Sequence, residues 1–323
     1  MTRNKLYFGI SILVLAALIG WTFYSMLSGE EDEEPHLVSV IVNDSNNDRW
    51  IALRLGLEQA AKDYNIDLNY VSTGKFTNAE EEMALIYREL ESGAEGIIVQ
   101  MISGEETTDI ADISTKASLV LLESDVTPED VYALVEPDNV EIGRMLAESV
   151  KEDFGEELEG KKIGILSGGR QQLSVQQRLQ GVEEGFREDA VTIVWNRELH
   201  YPYAAEDGQL ERLEEVDIMI ALGNDETEIL ADYLYAQSGT ETICKLYGVG
   251  CSEKAVYYLD KGMIQTLVTP NEFNMGYRSM EAVAAQIQYY SEKAKSSQVG
   301  CIAVNRANMY DEENEKILFP NVQ

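Results

Sequence analysis

The sequence predicts an α/β protein built as two doubly wound lobes behind one N-terminal transmembrane helix. Three observations predict it. An apolar run of 22 residues, Leu6 to Leu27, opens the chain. From residue 37 short β-rich runs alternate with amphipathic helical stretches, the pattern of a parallel sheet covered by helices. That alternation starts afresh near residue 131, so two βα sets of similar size follow one another.

The opening run, LYFGISILVLAALIGWTFYSML, follows Arg3 and Lys5 and precedes Glu30-Glu31-Asp32-Glu33-Glu34. At about 1.5 Å per helical residue it spans the roughly 30 Å hydrocarbon core of a bilayer. Basic flanks stay cytoplasmic, so the chain beyond residue 30 is expected outside the cytoplasm. A cleavable secretory signal also starts basic and turns apolar, but its apolar region is about 7 to 15 residues long and ends in a small-x-small site. Here Ser25-Met26-Leu27 and Leu27-Ser28-Gly29 each put Leu at a small position, and the first 240 residues hold no Cys for lipid attachment. The expectation is an uncleaved single-pass anchor in the cell membrane, with residues 1–29 as cytoplasmic tip and span and 30–36 as an acidic stalk.

The elements follow in order. LVSVIVN (37–43) leads to a helix with Trp50, Leu53, Leu57, Ala60 and Tyr64 on one face; IDLNYVS (66–72) to one with Ala79, Met83, Ile86, Tyr87 and Leu90. EGIIVQM (95–101), a shorter helix and SLVLLES (118–124) complete the first set. In the second, VYALVEP (131–137) precedes a helix at 138–154, and KKIGILS (161–167) one at 172–188. VTIVWN (191–196), VDIMIALG (216–223), a helix at 225–238, TICKLYGVG (242–250) and MIQTLVTP (263–270) come next. A long helix with Phe273, Tyr277, Met280, Ala284 and Ile287 and a last run, VGCIAVN (299–305), close the chain.

Net charge is −33, and because the first 29 residues contribute only Arg3 and Lys5, the remainder carries −35. A surface that acidic repels nucleic acid, whose binding depends on Lys and Arg neutralising phosphates. Three cysteines, Cys244, Cys251 and Cys301, form no disulfide framework: seven extended residues separate the first two by about 20 Å. His36 and His200 sit in unrelated contexts, so no metal site is expected.

In open parallel sheets ligands bind beyond the carboxyl ends of the strands. Those positions are polar here: Asn43-Asp44-Ser45-Asn46-Asn47, Gln100, Glu123-Ser124-Asp125, Ser167-Gly168-Gly169-Arg170 and Gly223-Asn224-Asp225. Taken singly each suits an ordinary βα loop, and Asp225 reads as a helix N-cap. Together, with no nucleophile–base pair among them, they describe a hydrogen-bonding cleft for a small polar ligand, not an enzyme's active site. Neither GxxxxGK[ST] nor GxGxxG occurs, so no nucleotide or other cofactor is expected.

Several stretches carry a family resemblance: VSVIVNDSNNDRWIALRLGLEQAAKDYN, SGAEGIIVQ, VEPDNVEIGRMLAESV, SVQQRLQGVEEGF, IALGNDETEILA, and YGVG followed by SEKAVYYLDKGMIQTLVTPNEFNMGY. In their order and spacing, from about 37 to 320, the chain resembles the sugar-binding, ribose-binding-protein-like members of the type I periplasmic binding proteins. The resemblance implies two Rossmann-like lobes joined by three hinge crossings, near 135–138, 268–271 and 299–303. The lobes would then be 37–137 plus 271–298, and 138–270 plus 299–323.

It also implies ligand contacts from Asn47, Arg49 and Trp50 in the first loop, Gln100 in place of a usual Asn, Glu123, Arg178 and its amide partner Asn224, and Asp225. Amides, carboxylates and guanidinium groups satisfy adjacent hydroxyls with paired hydrogen bonds. Trp50, Tyr201 and Tyr203 offer rings to an apolar sugar face. Three departures stand out. Glu123-Ser124 replaces an Asp-Arg pair, Gly250-Cys251, at the end of YGVG, stands where an Asp is expected, and Thr or Pro replaces a Gln near 269–270. The ligand is therefore expected to be a sugar or sugar-like polyol other than plain ribose. Its recipient would be an ABC permease or, alternatively, a membrane histidine kinase or chemoreceptor. A repressor of the same fold would need a DNA-binding motif where the apolar run stands.

Overall fold

The computed structural model describes residues 2–27, 35–102, 107–123, 132–169, 172–199, 214–237, 244–289 and 295–319; in the first helix the side chains described are those at 7–8 and 12–22. The chain forms two compact units, Met1–Pro35 and His36–Gln323. The first holds α1 (Thr2–Leu27), whose Phe8, Leu13, Leu15, Leu18, Ile19 and Trp21 are exposed. Among the described residues no helix is long and apolar enough to cross a membrane.

The second unit contains two six-stranded sheets. β1 (His36–Ile41), β2 (Ile66–Tyr70), β3 (Gly96–Val99), β4 (Ser118–Leu122), β5 (Ala133–Pro137) and β11 (Ser297–Val299) run in the order β11-β5-β4-β3-β1-β2, all parallel. β6 (Lys162–Ser167), β7 (Thr192–Glu198), β8 (Ile218–Ala221), β9 (Lys245–Val249), β10 (Ile264–Pro270) and β12 (Cys301–Asn305) repeat that order as β12-β10-β9-β8-β6-β7. Every residue of β3, β4 and β8 is buried, as expected for strands covered on both faces. The parallel pattern has one exception: β12 pairs antiparallel with β10, Val268 opposite Ala303. The sequence run 299–305 also divides at Gly300, Val299 pairing in the first sheet and Cys301 in the second.

The chain changes sheets at three places. After β5, the Asp138 side chain accepts from the Glu141 amide and opens α5 (Asn139–Phe154), which packs with α6 (Leu173–Gly185) against the second sheet. After β10, α9 (Glu272–Tyr289) returns to the first sheet, burying Met275, Met280, Val283 and Ala284 with Val38, Val40 and the Leu53 and Leu57 side chains of α2 (Ile51–Asp63). Gly300 makes the third crossing.

The same packing device recurs in each half. Where α2 crosses α9, a Cβ on Gly56 would lie 2.0 Å from the Phe273 carbonyl, and one on Gly276 2.1 Å from that of Leu53. Where α5 crosses α6, a Cβ on Gly143 would lie 2.1 Å from the Arg178 carbonyl, and one on Gly181 2.0 Å from that of Val140. Only glycine admits backbones that close, and the second crossing fixes the helix that carries Arg178. A short helix, α10 (Glu312–Leu318), follows β12; the sequence pattern did not anticipate it. Cys244, Cys251 and Cys301 are unbridged and half-buried.

Candidate ligand-binding cleft

Each sheet reverses its strand order beside its first strand, between β1 and β3 and between β6 and β8. Loops diverge at such a switch point and leave a crevice at the carboxyl ends of the strands. The two crevices face one another across a cavity of about 130 Å³. Asn47, Arg49, Trp50, Gln100 and Glu123 line it from the first sheet, and Arg178, Asn224 and Asp225 from the second. The remaining expected residue, Tyr203, lies outside the described residues, as do Tyr201, Ser124, Asp125 and Arg170.

Glu123 is the centre of the first wall. Its Oε2 accepts from Arg49 Nη2 at 2.9 Å and from Gln100 Nε2 at 3.1 Å, while Oε1 accepts from Arg178 Nη2 at 2.7 Å across the cleft. Burial opposes ionisation of this carboxyl, but Arg178 and Arg49 outweigh it and hold Glu123 below the usual carboxylate range. Its φ of 50°, like the 54° of Asp44 in the β1 loop, is a left-handed conformation uncommon outside glycine. The guanidinium expected and missed at position 124 is thus restored in space by Arg49, from a different loop.

Arg49 has a second neighbour in Glu272, the first residue of α9, at 3.7 Å. Its guanidinium also lies 4.0 Å over the Trp50 ring, so one face of that indole is already covered. Trp50 Nε1 donates to the Asn43 carbonyl at 3.1 Å. Arg178 is 5 % exposed and fully engaged along its edge: Nε donates to Asn139 Oδ1 at 2.9 Å and Nη1 to the Leu222 carbonyl at 3.1 Å.

The second wall begins at Gly223, where α7 (Asn224–Ala236) starts. Asp225 is not the N-cap that its place before a helix suggested. Gly223 holds the cap position without a side-chain bond, and Asp225, inside the first turn, reaches across the cleft. Its Oδ1 accepts from Asn47 Nδ2 at 3.1 Å and its Oδ2 from Lys75 Nζ at 2.7 Å. Asn224 turns the other way: its Oδ1 accepts from the Cys251 and Ser252 amides at 3.3 and 3.2 Å, and its Nδ2 donates to Glu228 at 2.9 Å. The amide pairs with its own wall, tying the β8 loop to the β9 loop.

Three residues escaped the sequence reading. Lys75 lies beyond the second strand's end, which the strand-end rule also covers. Glu226 lies one residue past Asn224-Asp225; burial and the adjacent Asp225 push its carboxyl up to about 7. Glu272 follows the second crossing and is buried, with Oε2 lacking a hydrogen-bond partner. Burial pushes it up to about 8, Arg49 opposing and Glu123 adding to the rise. Burial likewise pushes up the Cys251 thiol, which stands where an acid was expected. Among the described residues no group of three or more His, Cys, Asp or Glu side chains is arranged to hold a metal ion.

A family model for a periplasmic binding protein domain matches residues 38–292. A search of curated protein sequences finds no match. Among solved structures, the chain is similar to a carbohydrate transporter solute-binding protein from Agrobacterium radiobacter in complex with D-arabinose (16% identity, 88% of this chain and 99% of that one, TM-score 0.76). It is similar also to GanP, a glucose-galactose binding protein from Geobacillus stearothermophilus (22% identity, 86% and 100% covered, TM-score 0.75). A third similar chain comes from the XylFII-LytSN complex (17% identity, 84% and 98% covered, TM-score 0.72). With a matched segment that covers most of its length, the chain belongs to the periplasmic binding protein family and carries the type I fold: an extracytoplasmic binding protein, not an enzyme.

Proposed function

We propose that this protein binds a sugar or sugar-like polyol in the cleft between two lobes, one built on each sheet, and delivers it to an ABC importer. The observation that carries the reading is the Arg49–Glu123–Arg178 cluster. Guanidinium and carboxylate groups from both sheets converge on one cavity in fixed orientations, the chemistry that matches paired hydroxyls. The D-arabinose bound to one similar structure and the glucose-galactose binding of another support the same ligand class.

We further propose that α1 is an uncleaved membrane anchor. The support is the 22-residue apolar run with its basic N-terminal flank. Thr22, within it, returns its hydroxyl to the Leu18 and Ile19 carbonyls at 3.0 and 2.9 Å, leaving that donor satisfied without water.

Thermal-shift screening of the full chain in detergent against sugars, polyols and nucleosides tests the ligand reading. A ligand at a hundred times its Kd adds about 2.7 kcal/mol of stability. Arg178→Ala is expected to abolish the shift; a shift left intact in that variant removes the site assignment. A second reading, in which closure reports occupancy to a membrane sensor without transport, is favoured by the anchor and by the likeness to a chain solved in complex with a second protein. Co-purification of a permease or of a sensor kinase with the ligand-loaded protein separates the two.

A further inference from the structure

Glu226 is 5 % exposed, lines the cleft cavity, and among the described residues receives no hydrogen bond from any side chain. The backbone is shaped around its carboxyl. A Cβ at Gly223 would lie 2.2 Å from Glu226 Oε2, and one at Gly168 2.8 Å from Oε1, so both glycines clear the space it occupies. The groups around it are otherwise paired. Asp225, beside it on α7, holds Lys75 and Asn47; Arg178, on α6, and Arg49, on the facing wall, are bound to Glu123; Asp44 lies 3.9 Å from Lys75. The carboxyl takes a hydrogen bond from its own backbone amide and none from a side chain among the described residues, which leaves hydrogen-bonding capacity facing the cleft.

We propose that Glu226 contacts the ligand as a neutral carboxylic acid whose O–H donates a hydrogen bond to an oxygen of an uncharged sugar, so that binding takes up a proton from solvent onto Glu226. The proposal rests on the sugar-binding reading above and deepens it by naming the ligand's charge. An uncharged ligand displaces water from the cleft and adds no cation, so it disfavours the ionised form beside the Asp225 carboxylate. An amine-bearing sugar would act oppositely, drawing Glu226 into its ionised form and releasing a proton.

The test is calorimetric titration of the full chain in detergent micelles with D-arabinose, D-glucose and D-galactose between pH 5.5 and 8.5, each in two buffers of different ionisation enthalpy. The expected result is a Kd that weakens about tenfold from pH 6 to pH 8, with proton uptake near pH 7. Glu226→Gln, which keeps a donor and cannot ionise, is expected to bind with a flat profile. Asp225→Asn is expected to move the wild-type profile to lower pH, an arm that stands if Glu226→Gln fails to fold. Affinity that rises with pH, or a Glu226→Gln profile with the wild-type slope, overturns the role of Glu226 while leaving sugar binding in place. No heat of binding from any sugar at any pH overturns the sugar reading and this one with it.

Discussion

The two walls of the cleft each bury a carboxyl, yet Glu123 is held by two guanidinium groups and an amide, whereas Glu226 has its own backbone amide and no side-chain donor among the described residues. The first is held charged by its partners; the second is pushed toward neutrality by burial and by Asp225. The difference assigns separate tasks. Glu123 orients the donors of both lobes in a fixed frame, and Glu226 remains the group still free to answer the ligand.

Breaking the first wall should cost the most. Glu123→Ala strands two guanidinium groups in the interior, and removing one partner of a buried ion pair typically costs about 3–5 kcal/mol. Chemical denaturation should register a loss in that range, together with loss of sugar binding. A loss below about 1 kcal/mol would mean that Arg49 and Arg178 find other acceptors.

On the second wall, Gly223→Ala puts a Cβ 2.2 Å from Glu226 Oε2, the far end of a flexible side chain that can swing aside, so the cost should lie at or below about 1 kcal/mol, the low end of overpacking. The double variant Gly223→Ala, Glu226→Ala should recover most of that loss, because the clash is with the side chain. No recovery would show that Gly223 is required for its backbone alone.

The carboxyls differ again in sign on titration. Glu226 and Glu272, raised to about 7 and about 8, keep their protons in the folded state after the unfolded chain has released them near 4.5. Each therefore lowers stability as pH rises from about 4.5 to its folded value, by about 1.4 kcal/mol per pH unit at most. Glu123, lowered in the fold, contributes stability above about 4.5 that is lost as pH falls through its folded value. Denaturation midpoints of Glu272→Gln against wild type from pH 4 to 9 should diverge in the variant's favour as pH rises, and parallel curves would contradict the assignment.

The smallest effect belongs to the partly exposed Lys75–Asp225 pair at the cleft mouth. Lys75→Met should change stability by less than about 1 kcal/mol. Small-angle scattering should nonetheless detect a more open average shape, since the pair joins the two walls.

Much of the fold was legible because strands buried on both faces leave unbroken Val, Ile and Leu runs, but the restart near residue 131 misplaced the boundary: β5 pairs with β4 in the first sheet, and the second sheet begins only at β6, because a buried strand's run does not say which sheet it joins. The antiparallel β12 was not, because pairing direction leaves no periodicity of its own. The site was legible to the extent that it follows strand ends: Asn47, Gln100, Glu123 and Asp225 meet at one cavity, while Arg178, inside α6, was reached only through the family resemblance. Partnerships were not. The distance from Arg49 to Glu123 spans 74 positions of sequence and depends on the β1 and β4 loops converging. Asn224 looked ligand-facing, and only the position of the Cys251 and Ser252 amides shows that its side chain is spent within its own wall.

The claim that both walls grip one ligand is tested most directly by amide hydrogen exchange on the full chain in detergent, with and without saturating D-arabinose, D-glucose or D-galactose. Added protection is expected in both walls at once, around residues 43–50 and 123 in the first and 168–178 and 222–226 in the second. Protection confined to one wall, or none there while calorimetry registers binding, would contradict it.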